Sequence, residues 1–383
     1  MLRRLRMSTA GESHGEALLG ILEGIPAGLR LDEARVQEQL DRRRRGYGRS
    51  VRMQKETDVP RFLCGVRDGV TLGAPIGVIL ENADHKPRAP FSVPRPGHAD
   101  LAGMSKLGSD DGRPVLERSS ARETAMRVAL ASVCRELLRT FDVEVGGHVL
   151  ALGGECSPLL EEEAGIALAQ FPSAELLARS ADAAPVGCLD NAASVRMSAA
   201  IDAARGDGDT LGGVVEVVVT GCPAGLGSYA QWDERLSGRL AGAVLSVPAI
   251  KGVEVGIGFR AAGLRGSRCH DLIVPGPNRR PVRPTNRAGG LEGGVTNGEP
   301  VVVRAAMKPL PTLMRPLPTV DMRTGDAAPA LLERSDVCAV PAARVVIEAM
   351  ICLVIADALL EKLGGDSLDE VRRHFQASFS GEA

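Results

Sequence analysis

The chain has 383 residues, with 46 Lys or Arg against 48 Asp or Glu and a net charge of −2. This balance excludes a protein that binds nucleic acid through bulk positive charge, and a hydrophobic fraction of 44% excludes wholesale disorder. Aromatic residues make up only 3% of the chain, so it offers little surface for stacking single-stranded bases.

Three features of the sequence indicate an intracellular protein. The start, MLRRLRMSTAGESHG, contains no apolar core of the kind found in a signal peptide. The most apolar long stretch, 341–363, carries several charged residues, and its uncharged run at 349–356 is too short to span a bilayer. The eight cysteines form no C-x-x-C pair, which favours reduced thiols over a zinc site or a disulfide framework. We therefore expect a soluble, cytoplasmic protein without a metal and without a membrane or nucleic-acid partner.

Hydrophobic periodicity predicts strands and helices along the whole chain. The predicted strands cover residues 17–23, 76–81, 143–150, 214–220, 253–259 and 301–306. The predicted helices cover residues 32–43, 121–140, 173–181, 233–245 and 341–363. The segments 82–118 and 260–300 are rich in Gly, Pro and Arg, and loops of that length are commonly functional.

A self-comparison finds an internal repeat. Residues 12–29 read ESHGEALLGILEGIPAGL and residues 209–226 read DTLGGVVEVVVTGCPAGL, so a strand-like run precedes G-x-P-A-G-L in both. Each is followed by a predicted helix that opens with an acidic pair, and a second echo, G-x-P before an apolar run, occurs at 73–75 and 298–300. This common order favours a duplicated β–turn–α unit over chance similarity. We expect one domain over 1–383, with repeat units near 12–45 and 209–245 and a C-terminal tail at 366–383.

Six arginines within a short segment form a dense cluster of positive charge. They are Arg42, Arg43, Arg44, Arg45, Arg49 and Arg52, and no acidic residue lies among them. A solvated helix end is one interpretation, because cations are favourable near a helix C-terminus. However, adjacent arginines point in different directions, and each presents a planar fork that suits phosphate or carboxylate. The cluster therefore predicts a site for a multiply anionic ligand.

A second anion site is indicated near Ser120. Glu123 follows it by three residues, which is the pattern of a capping box at the start of the predicted helix 121–140. A helix N-terminus flanked by Arg118 and Arg122 is also suited to an anion. The two roles are compatible.

Two of the six histidines have unusual surroundings. His14 lies in GESHG and His98 in VPRPGHAD, each within a Gly- or Pro-rich turn. A histidine near anions can hold a proton and act as a general acid, with a structural role as the competing interpretation. The other four carry no such signal; they are His85, His148, His270 and His374.

Two common catalytic or nucleotide-binding patterns do not fit. GESHG matches the G-x-S-x-G elbow of serine hydrolases around Ser13, but that motif requires a strand before it and a helix after it, which are not predicted here. Neither a Walker A loop nor G-x-G-x-x-G occurs in the sequence. The sequence therefore does not predict a serine hydrolase, a P-loop enzyme or a dinucleotide-binding Rossmann site.

Nine unusual sequence blocks follow one another along the chain. They are AGESHG (10–15), RRRRGYGRS (42–50), RPGHAD (95–100), RSSARET (118–124), GDTLGGVVEV (208–217), VPAIKGVEVGIGF (247–259), NRAGGLEGGVTNGEP (286–300), MKPLPT (307–312) and RSDVCAVPA (334–342). In this order they resemble the chorismate synthase family almost from end to end. Two departures, Ser335 in place of a common histidine and GYGRS in place of a common P-G form, are similar to an actinobacterial-type branch.

The resemblance implies a lyase that converts 5-enolpyruvylshikimate 3-phosphate to chorismate and phosphate, the last common step of the shikimate route to aromatic amino acids. It implies reduced FMN (FMNH2) as cofactor, although the reaction has no net redox change. It implies an α+β fold, an internally duplicated β-α-β sandwich with helices packed between antiparallel sheets, and a homotetramer. NADPH and a separate flavin reductase are the alternative sources of electrons, and the sequence shows no reductase domain.

The resemblance also assigns roles to residues. His14 would protonate the departing phosphate, and His98 the reduced flavin. Asp336 would help remove the C6 hydrogen, and its competing role is structural, at the start of the helix 341–363. Ser13 and Ser120 would relay protons. Arg43, Arg49 and Arg122 would bind substrate or NADP, and FMN would contact Arg118, Ser119, Ser120, Pro248, Ala249, Gly293, Lys308, Pro309, Leu310, Pro311, Thr312 and Arg334. Another anion-binding enzyme and a non-catalytic binding protein are the alternative classes.

Overall fold

A computed structural model describes residues 2–49, 57–83, 85–162, 165–277, 281–333 and 335–379. Its strands are β1 (Arg6–Ala10), β2 (Ala17–Glu23), β3 (Arg61–Cys64), β4 (Val66–Arg67), β5 (Val70–Thr71), β6 (Ile76–Glu81), β7 (Glu144–Leu152), β8 (Glu155–Cys156), β9 (Gly213–Thr220), β10 (Ile250–Val255), β11 (Val274–Pro275), β12 (Pro281–Val282), β13 (Leu291–Glu292), β14 (Val295–Thr296), β15 (Val301–Met307), β16 (Pro318–Val320) and β17 (Ala327–Pro329). Its helices are α1 (Glu33–Arg44), α2 (Asp100–Leu107), α3 (Arg113–Arg118), α4 (Thr124–Arg139), α5 (Ala174–Ala183), α6 (Asn191–Asp207), α7 (Leu236–Leu245), α8 (Gly266–Cys269), α9 (Val340–Leu363) and α10 (Leu368–Phe379).

Two antiparallel sheets enclose a helical layer. The first sheet has the strand order β1-β2-β6-β3, and the second has the order β10-β15-β9-β7-β8. Helix α4 packs on β2 and β6, α9 packs on β7 and β9, and the two helices pack along each other. Helix α5 packs on β7 and β9 as well, where Leu177, Val218 and Val302 form a small cluster separate from the main core. The predicted α+β class, with helices between antiparallel sheets, is confirmed.

The internal duplication extends to individual hydrogen bonds. In both repeats the strand, the G-x-P-A-G-L turn and the helix are followed by a short hairpin that ends in a buried threonine. Thr71 Oγ1 donates to the carbonyl of the turn proline at 2.7 Å and accepts the amide of the turn leucine at 3.0 Å. Thr296 Oγ1 makes the same two bonds to the second turn, at 2.6 Å and 2.8 Å. The predicted β–turn–α repeat is therefore present in the fold, while its extent as one domain over 1–383 stays a prediction.

Helix α9 is the centre of the core. Of its 24 residues, all except Glu361 and Lys362 are buried, and Pro341 lies in its first turn. Gly364, at φ +64°, ends the helix in a conformation that favours glycine. None of the described helices combines the length and the apolar character needed to cross a membrane.

Buried charges on α9 pair with arginines from other elements. Glu348 accepts two hydrogen bonds from Arg42, at 2.7 and 3.0 Å, and one from Arg135 at 3.0 Å. Burial alone would raise the pKa of Glu348, but the charges of Arg42, Arg344 and Arg135 outweigh it and lower the pKa to about 2. Arg42 also donates to Asp182 at 2.6 Å, so this member of the arginine cluster joins α1 to α5 and α9. Its role is structural.

Some predicted boundaries are wrong for identifiable reasons. The strand predicted at 253–259 is β10, Ile250–Val255, because Gly256 and Gly258 take positive φ and turn the chain into a 3-10 segment. The helix predicted at 233–245 begins only at Leu236, since Asp233 and Glu234 lie before it and face Arg3.

Several elements were not predicted at all. Strand β1 and helices α2, α3 and α6 are present in segments that gave no strand or helix prediction. The segment predicted as a tail, 366–383, contains α10, whose Leu368 and Val371 are buried against the core. The part of the tail that the structure describes is therefore largely a packed helix.

Removing the charge of Glu348 tests the buried ionic cluster. We expect Glu348→Gln to lower the free energy of unfolding by about 3–5 kcal/mol, because the buried arginines lose their counter-charge. The folded pKa of about 2 lies below the ordinary 4.5, so the stability from this group is present at neutral pH and is lost as pH falls from 4.5 toward 2. Urea denaturation at pH 7 and pH 3 measures both effects.

The matched control is Glu155→Gln. Glu155 pairs with Arg196 on the surface, where both side chains are more than 40% exposed. Such a pair contributes about 0–1 kcal/mol. Equal losses in the two variants would contradict a special role for the buried carboxylate.

Candidate active site

One cleft gathers most of the predicted site residues. It lies between the start of α9, the end of α1 and the segment that leads into α4. Its polar lining residues are Arg43, Arg49, Arg95, His98, Ser120, Arg122, Thr124, Thr312, Ser335 and Asp336. Its apolar lining residues are Leu116, Ala121, Val247, Pro248, Met307, Leu310, Pro311, Ala339, Ala342, Ala343 and Val346.

Arg43 reaches this cleft from the last turn of α1. Its Nε donates to Thr124 Oγ1 at 3.0 Å, and its Nη2 donates to the carbonyl of Ala121 at 2.8 Å. The remaining nitrogen, Nη1, is buried without a hydrogen-bond partner among the described residues and lies 3.7 Å from the carboxylate of Asp58. A guanidinium group with one unfilled buried donor is suited to receive an oxygen of an anionic ligand.

Positive charge accumulates around the cleft. Burial lowers the pKa of Arg43 to about 10, and the charges of Arg49 and Arg122 act in the same direction, partly offset by nearby carboxylates. The pKa of Lys308 is also lowered, by burial and by the charge of Lys251. Crowded cations that have lost water are stabilised by an anion, as the arginine cluster predicted.

Arg49 and Asp336 form an ion pair with each other. Arg49 Nη1 donates to Asp336 Oδ2 at 2.6 Å. The resemblance assigned one residue to substrate binding and the other to hydrogen removal, so the structure brings two separate roles into contact. The alternative role of Asp336 as a helix cap is not supported, because Ala339 is the N-cap of α9 and makes no side-chain capping bond.

The loop before Arg49 requires glycine. Gly48 has φ +89°, and a Cβ there would lie 3.1 Å from Ile201 Cγ2 and 3.3 Å from Cys338 Cβ. The carbonyl of Gly48 accepts the amide of Val337 at 3.0 Å. This close approach holds Arg49 beside the start of α9, where Asp336 lies.

Arg122 is fixed by two side chains that the sequence did not indicate. Its Nε donates to Asn82 Oδ1 at 2.8 Å, and its Nη1 donates to the buried carboxylate of Asp58. Asn82 Nδ2 in turn donates to the carbonyls of Glu12 and Gly15, at 3.0 and 2.7 Å. One amide thus connects a guanidinium of the cleft to the GESHG loop.

Ser13 and His14 are in contact with each other but are not part of the described cleft lining. Ser13 Oγ lies 3.0 Å from His14 Nδ1, and both residues are largely buried. The amide of Ser13 donates to the carbonyl of Glu117 at 3.1 Å, and the Glu117 carboxylate lies 3.9 Å from His14 Nδ1. The structure therefore places Ser13 and His14 beside the cleft, where Asn82 connects their loop to Arg122.

His98 lies in the cleft with two charged neighbours from its own turn. Its Nδ1 is 2.5 Å from Asp100 Oδ1, and Arg95 Nε donates to the same carboxylate at 2.8 Å. Arg95 Nη1 donates to Thr312 Oγ1 at 2.9 Å, and both residues line the cleft. We did not assign Arg95 or Asp100 from the sequence, although both lie within the RPGHAD block.

Ser120 begins the turn before α4. Its Oγ accepts the amide of Arg122 at 3.3 Å. The second half of the predicted capping box is wrong, because the Glu123 carboxylate instead accepts hydrogen bonds from Arg127 and Thr9. Ser120 therefore caps a 3-10 turn and also faces the cleft.

The predicted FMN contacts fall into three groups. Ser120, Pro248, Leu310, Pro311 and Thr312 line the cleft. Arg118, Ser119, Ala249, Lys308 and Pro309 are chain neighbours of lining residues but do not line it themselves in the described structure. Gly293 lies in the β13–β14 hairpin beside Tyr229, away from that lining, and Arg334 lies outside the described residues.

Ala249 has a strained backbone. It is one of few described non-glycine residues with positive φ, at +69°, and its carbonyl accepts the amide of Lys308 at 2.9 Å. Such strain occurs preferentially at ligand sites. It supports a binding role for the 248–249 turn.

The other described members of the arginine cluster are not among the residues that line the cleft. Arg42 pairs with Glu348, and Arg44 pairs with Asp41 at 2.6 Å. Arg45 is not among the lining residues, and Arg52 lies outside the described residues. Among the described members of the cluster, Arg43 and Arg49 line the cleft, whereas Arg42 and Arg44 pair with carboxylates elsewhere.

Comparisons with known proteins give the family of the chain. The family model described as chorismate synthase matches residues 5–360. A chorismate synthase of Mycobacterium avium is 53% identical over 97% of this chain and 96% of its own length, and one of Frankia alni is 52% identical over 97% of both. A solved structure, "Crystal Structure of Chorismate Synthase", superposes with a TM-score of 0.82 at 40% identity, covering 100% of this chain and 99% of its own. The chain therefore belongs to the chorismate synthase family, whose members are carbon–oxygen lyases acting on phosphates.

Proposed function

We propose that the chain catalyses the anti 1,4-elimination of phosphate from 5-enolpyruvylshikimate 3-phosphate to give chorismate, with reduced FMN, in the cytoplasm. The observation that supports this most is the composition of the cleft. Three arginines assigned to an anionic substrate meet His98, Asp336 and an apolar wall in one place. Anion binding, proton transfer and flavin binding all need residues of these kinds.

The substrate carries a phosphate and two carboxylates. Arg43 offers its unfilled Nη1 to one of these groups, and Arg49 and Arg122 extend the cationic surface on either side. Because Arg49 is paired with Asp336, an incoming anion would share or take over that guanidinium. Substrate binding is therefore coupled to the ion pair that the Asp336 carboxylate makes with Arg49.

The other wall of the cleft fits a flavin. Val247, Pro248, Met307, Leu310 and Pro311 present an apolar surface for a planar ring system, bordered by the Thr312 hydroxyl. The neighbouring residues predicted as contacts would hold the remainder of FMN, with Lys308 and Arg118 supplying positive charge. Bound reduced FMN would supply the reversible electron donation that lets an unactivated C–H bond and an allylic C–O bond break without net oxidation.

The residues that would handle protons line the cleft or, in the case of His14 and Ser13, lie beside it. His14, in contact with Ser13, would give a proton to the departing phosphate. His98 would present a proton on the cofactor side, and Ser120 would relay protons in the cleft. Asp336 would assist in removing the C6 hydrogen. These groups would work as general acids and bases when each is brought against a reacting atom.

Anaerobic incubation with the substrate and photoreduced FMN tests the proposal. We expect phosphate and chorismate to form in equal amounts. Substrate binding without either product would favour a non-catalytic binding protein, and phosphate release without chorismate would favour another anion-binding enzyme.

The electron source and the assembly are open to direct measurement. We propose a homotetramer that depends on a separate flavin reductase. Turnover with FMN and NADPH as sole reductant would instead show that the chain reduces its own flavin through the same arginines. Light scattering gives the oligomeric state.

The histidine assignments predict large kinetic effects. We expect His98→Ala and His14→Ala each to lower turnover about 10²–10⁴-fold, the usual contribution of a positioned general acid. FMN binding, followed by flavin fluorescence, should largely survive. His270→Ala is the control, and near-native turnover in both site variants would disprove the assignment.

Two adjacent arginines give a matched comparison for substrate binding. We expect Arg43→Ala to raise KM about ten- to a hundredfold, since a charge-assisted hydrogen bond contributes about 1.5–3 kcal/mol. Arg44→Ala should change KM little, because Arg44 pairs with Asp41 outside the cleft. Equal effects in steady-state kinetics would indicate a diffuse positive surface instead of a shaped site.

Asp336 is tested by an isosteric change. Asp336→Asn should lower turnover well over tenfold and change KM less, because an amide keeps the shape but loses charge and basicity. Ser335→Ala should cost less than about tenfold, the effect of one modest hydrogen bond. If Asp336→Asn lowers the melting temperature yet turns over normally once folded, the aspartate is structural.

A further inference from the structure

The buried carboxylate of Asp100, two residues after His98 in the same turn, contacts the His98 ring. Asp100 is 0% exposed, and its Oδ1 lies 2.5 Å from His98 Nδ1. The same carboxylate accepts hydrogen bonds from Arg95, at 3.1 Å from the amide, 2.8 Å from Nε and 3.1 Å from Nη2. Burial would raise the pKa of Asp100, but these bonds to His98 and Arg95 hold it well below its usual range. Asp100 is therefore ionised and can only accept hydrogen bonds.

The direction of this hydrogen bond determines the state of the imidazole. Nδ1 of His98 must carry a hydrogen, which leaves Nε2 as the nitrogen that can exchange a proton with a ligand in the cleft. Arg95 Nη2 lies 3.0 Å from Nδ1 and 3.2 Å from Nε2, and Arg95 Nη1 is anchored to Thr312. The ring is thus held by Asp100 and Arg95, and Arg95 is itself held by Thr312.

We propose that Asp100 is a positioning residue that acts through His98, by keeping the hydrogen on Nδ1 and reserving Nε2 for proton transfer. The inference rests on the proposed function, in which His98 is a general acid. A purely structural role is the competing explanation, since Asp100 is also the first residue of α2, where an acidic side chain favours the helix dipole.

The ring nitrogens can be observed in the flavin-free protein. In protein labelled with [15N]histidine, the His98 signals are those lost in His98→Ala. We expect an Nδ1-protonated ring in the native protein and a loss of that state in Asp100→Asn, whose amide group can donate to Nδ1 instead. A native ring with hydrogen only on Nε2, or an unchanged ring in Asp100→Asn, would overturn the proposal. The native spectrum decides even if the variant does not fold.

A double-mutant cycle separates positioning from stability. Asp100→Asn should lower kcat at least tenfold with less change in KM. When asparagine replaces an aspartate that orients a catalytic imidazole, its side-chain amide favours the wrong tautomer of that imidazole. In the His98→Ala background the same substitution should have no further effect on kcat. Losses that multiply in the double variant would show a structural role and contradict the proposal.

The matched control is Asp111→Asn. Asp111 accepts the amides of Phe91 and Arg113 at the start of α3, so it has a comparable structural position without His98. We expect it to leave kcat within about twofold of native. If His98→Ala itself keeps native turnover, the proposed role of His98 fails, while the ring-nitrogen measurement still tests what Asp100 does.

Discussion

The site depends on one constraint, which is that four guanidinium groups must be held around a single cleft. Repulsion between these groups and their loss of water would favour collapse of the cleft or exposure of the arginines. Each guanidinium group is instead held by an acceptor from another segment or from its own turn. Arg43 is held by Thr124 and the Ala121 carbonyl, Arg49 by Asp336, Arg95 by Asp100 and Arg122 by Asp58 with Asn82. The acceptors leave Arg43 Nη1 as a buried donor without a hydrogen-bond partner among the described residues.

The duplicated fold supplies the rigid support for this arrangement. Arg42 in α1 and Arg239 in α7 occupy the same position of the ungapped repeat. Both are buried, and both pair with carboxylates of the central helix α9, Arg42 with Glu348 and Arg239 with Asp357. The two ion pairs attach one helix of each repeat to α9. The next residue after Arg42 is Arg43, so the pair that fixes α1 also fixes the direction in which the cleft arginine points.

Much of the fold could be predicted because its signals are local. Strands β2 and β6 have the predicted bounds, since each is a short and mostly apolar run rich in Ile, Leu and Val. Helix α6 was missed because its buried face consists mainly of small residues, Ala193, Ser194 and Ala204, although Asp190 caps it and Gly208 ends it. Those two boundary residues were the available signal.

The site was predicted less completely, because its acceptors come from distant segments. The sequence cluster 42–52 contains no acid, yet in the fold Glu348 and Asp182 pair with Arg42, and Asp336 pairs with Arg49. Nothing local marks Asp58 or Asn82 as partners of Arg122. Asp100 is different, since its two-residue spacing from His98 within RPGHAD was a readable signal. Long-range ion pairs can be identified only from the tertiary structure, whereas pairs within one turn can be identified from the sequence.

We propose that shaped guanidinium groups, and not positive charge alone, bind the substrate. The most direct test is calorimetric titration of 5-enolpyruvylshikimate 3-phosphate into Arg43→Lys, Arg49→Lys and Arg122→Lys, with oxidised FMN present so that no turnover occurs. Lysine keeps the charge but cannot reproduce the planar fork or the bonds that hold each arginine. If this proposal is right, each lysine variant loses at least about tenfold in affinity for the substrate, or ~1.4 kcal/mol. Native affinity in all three lysine variants would contradict it.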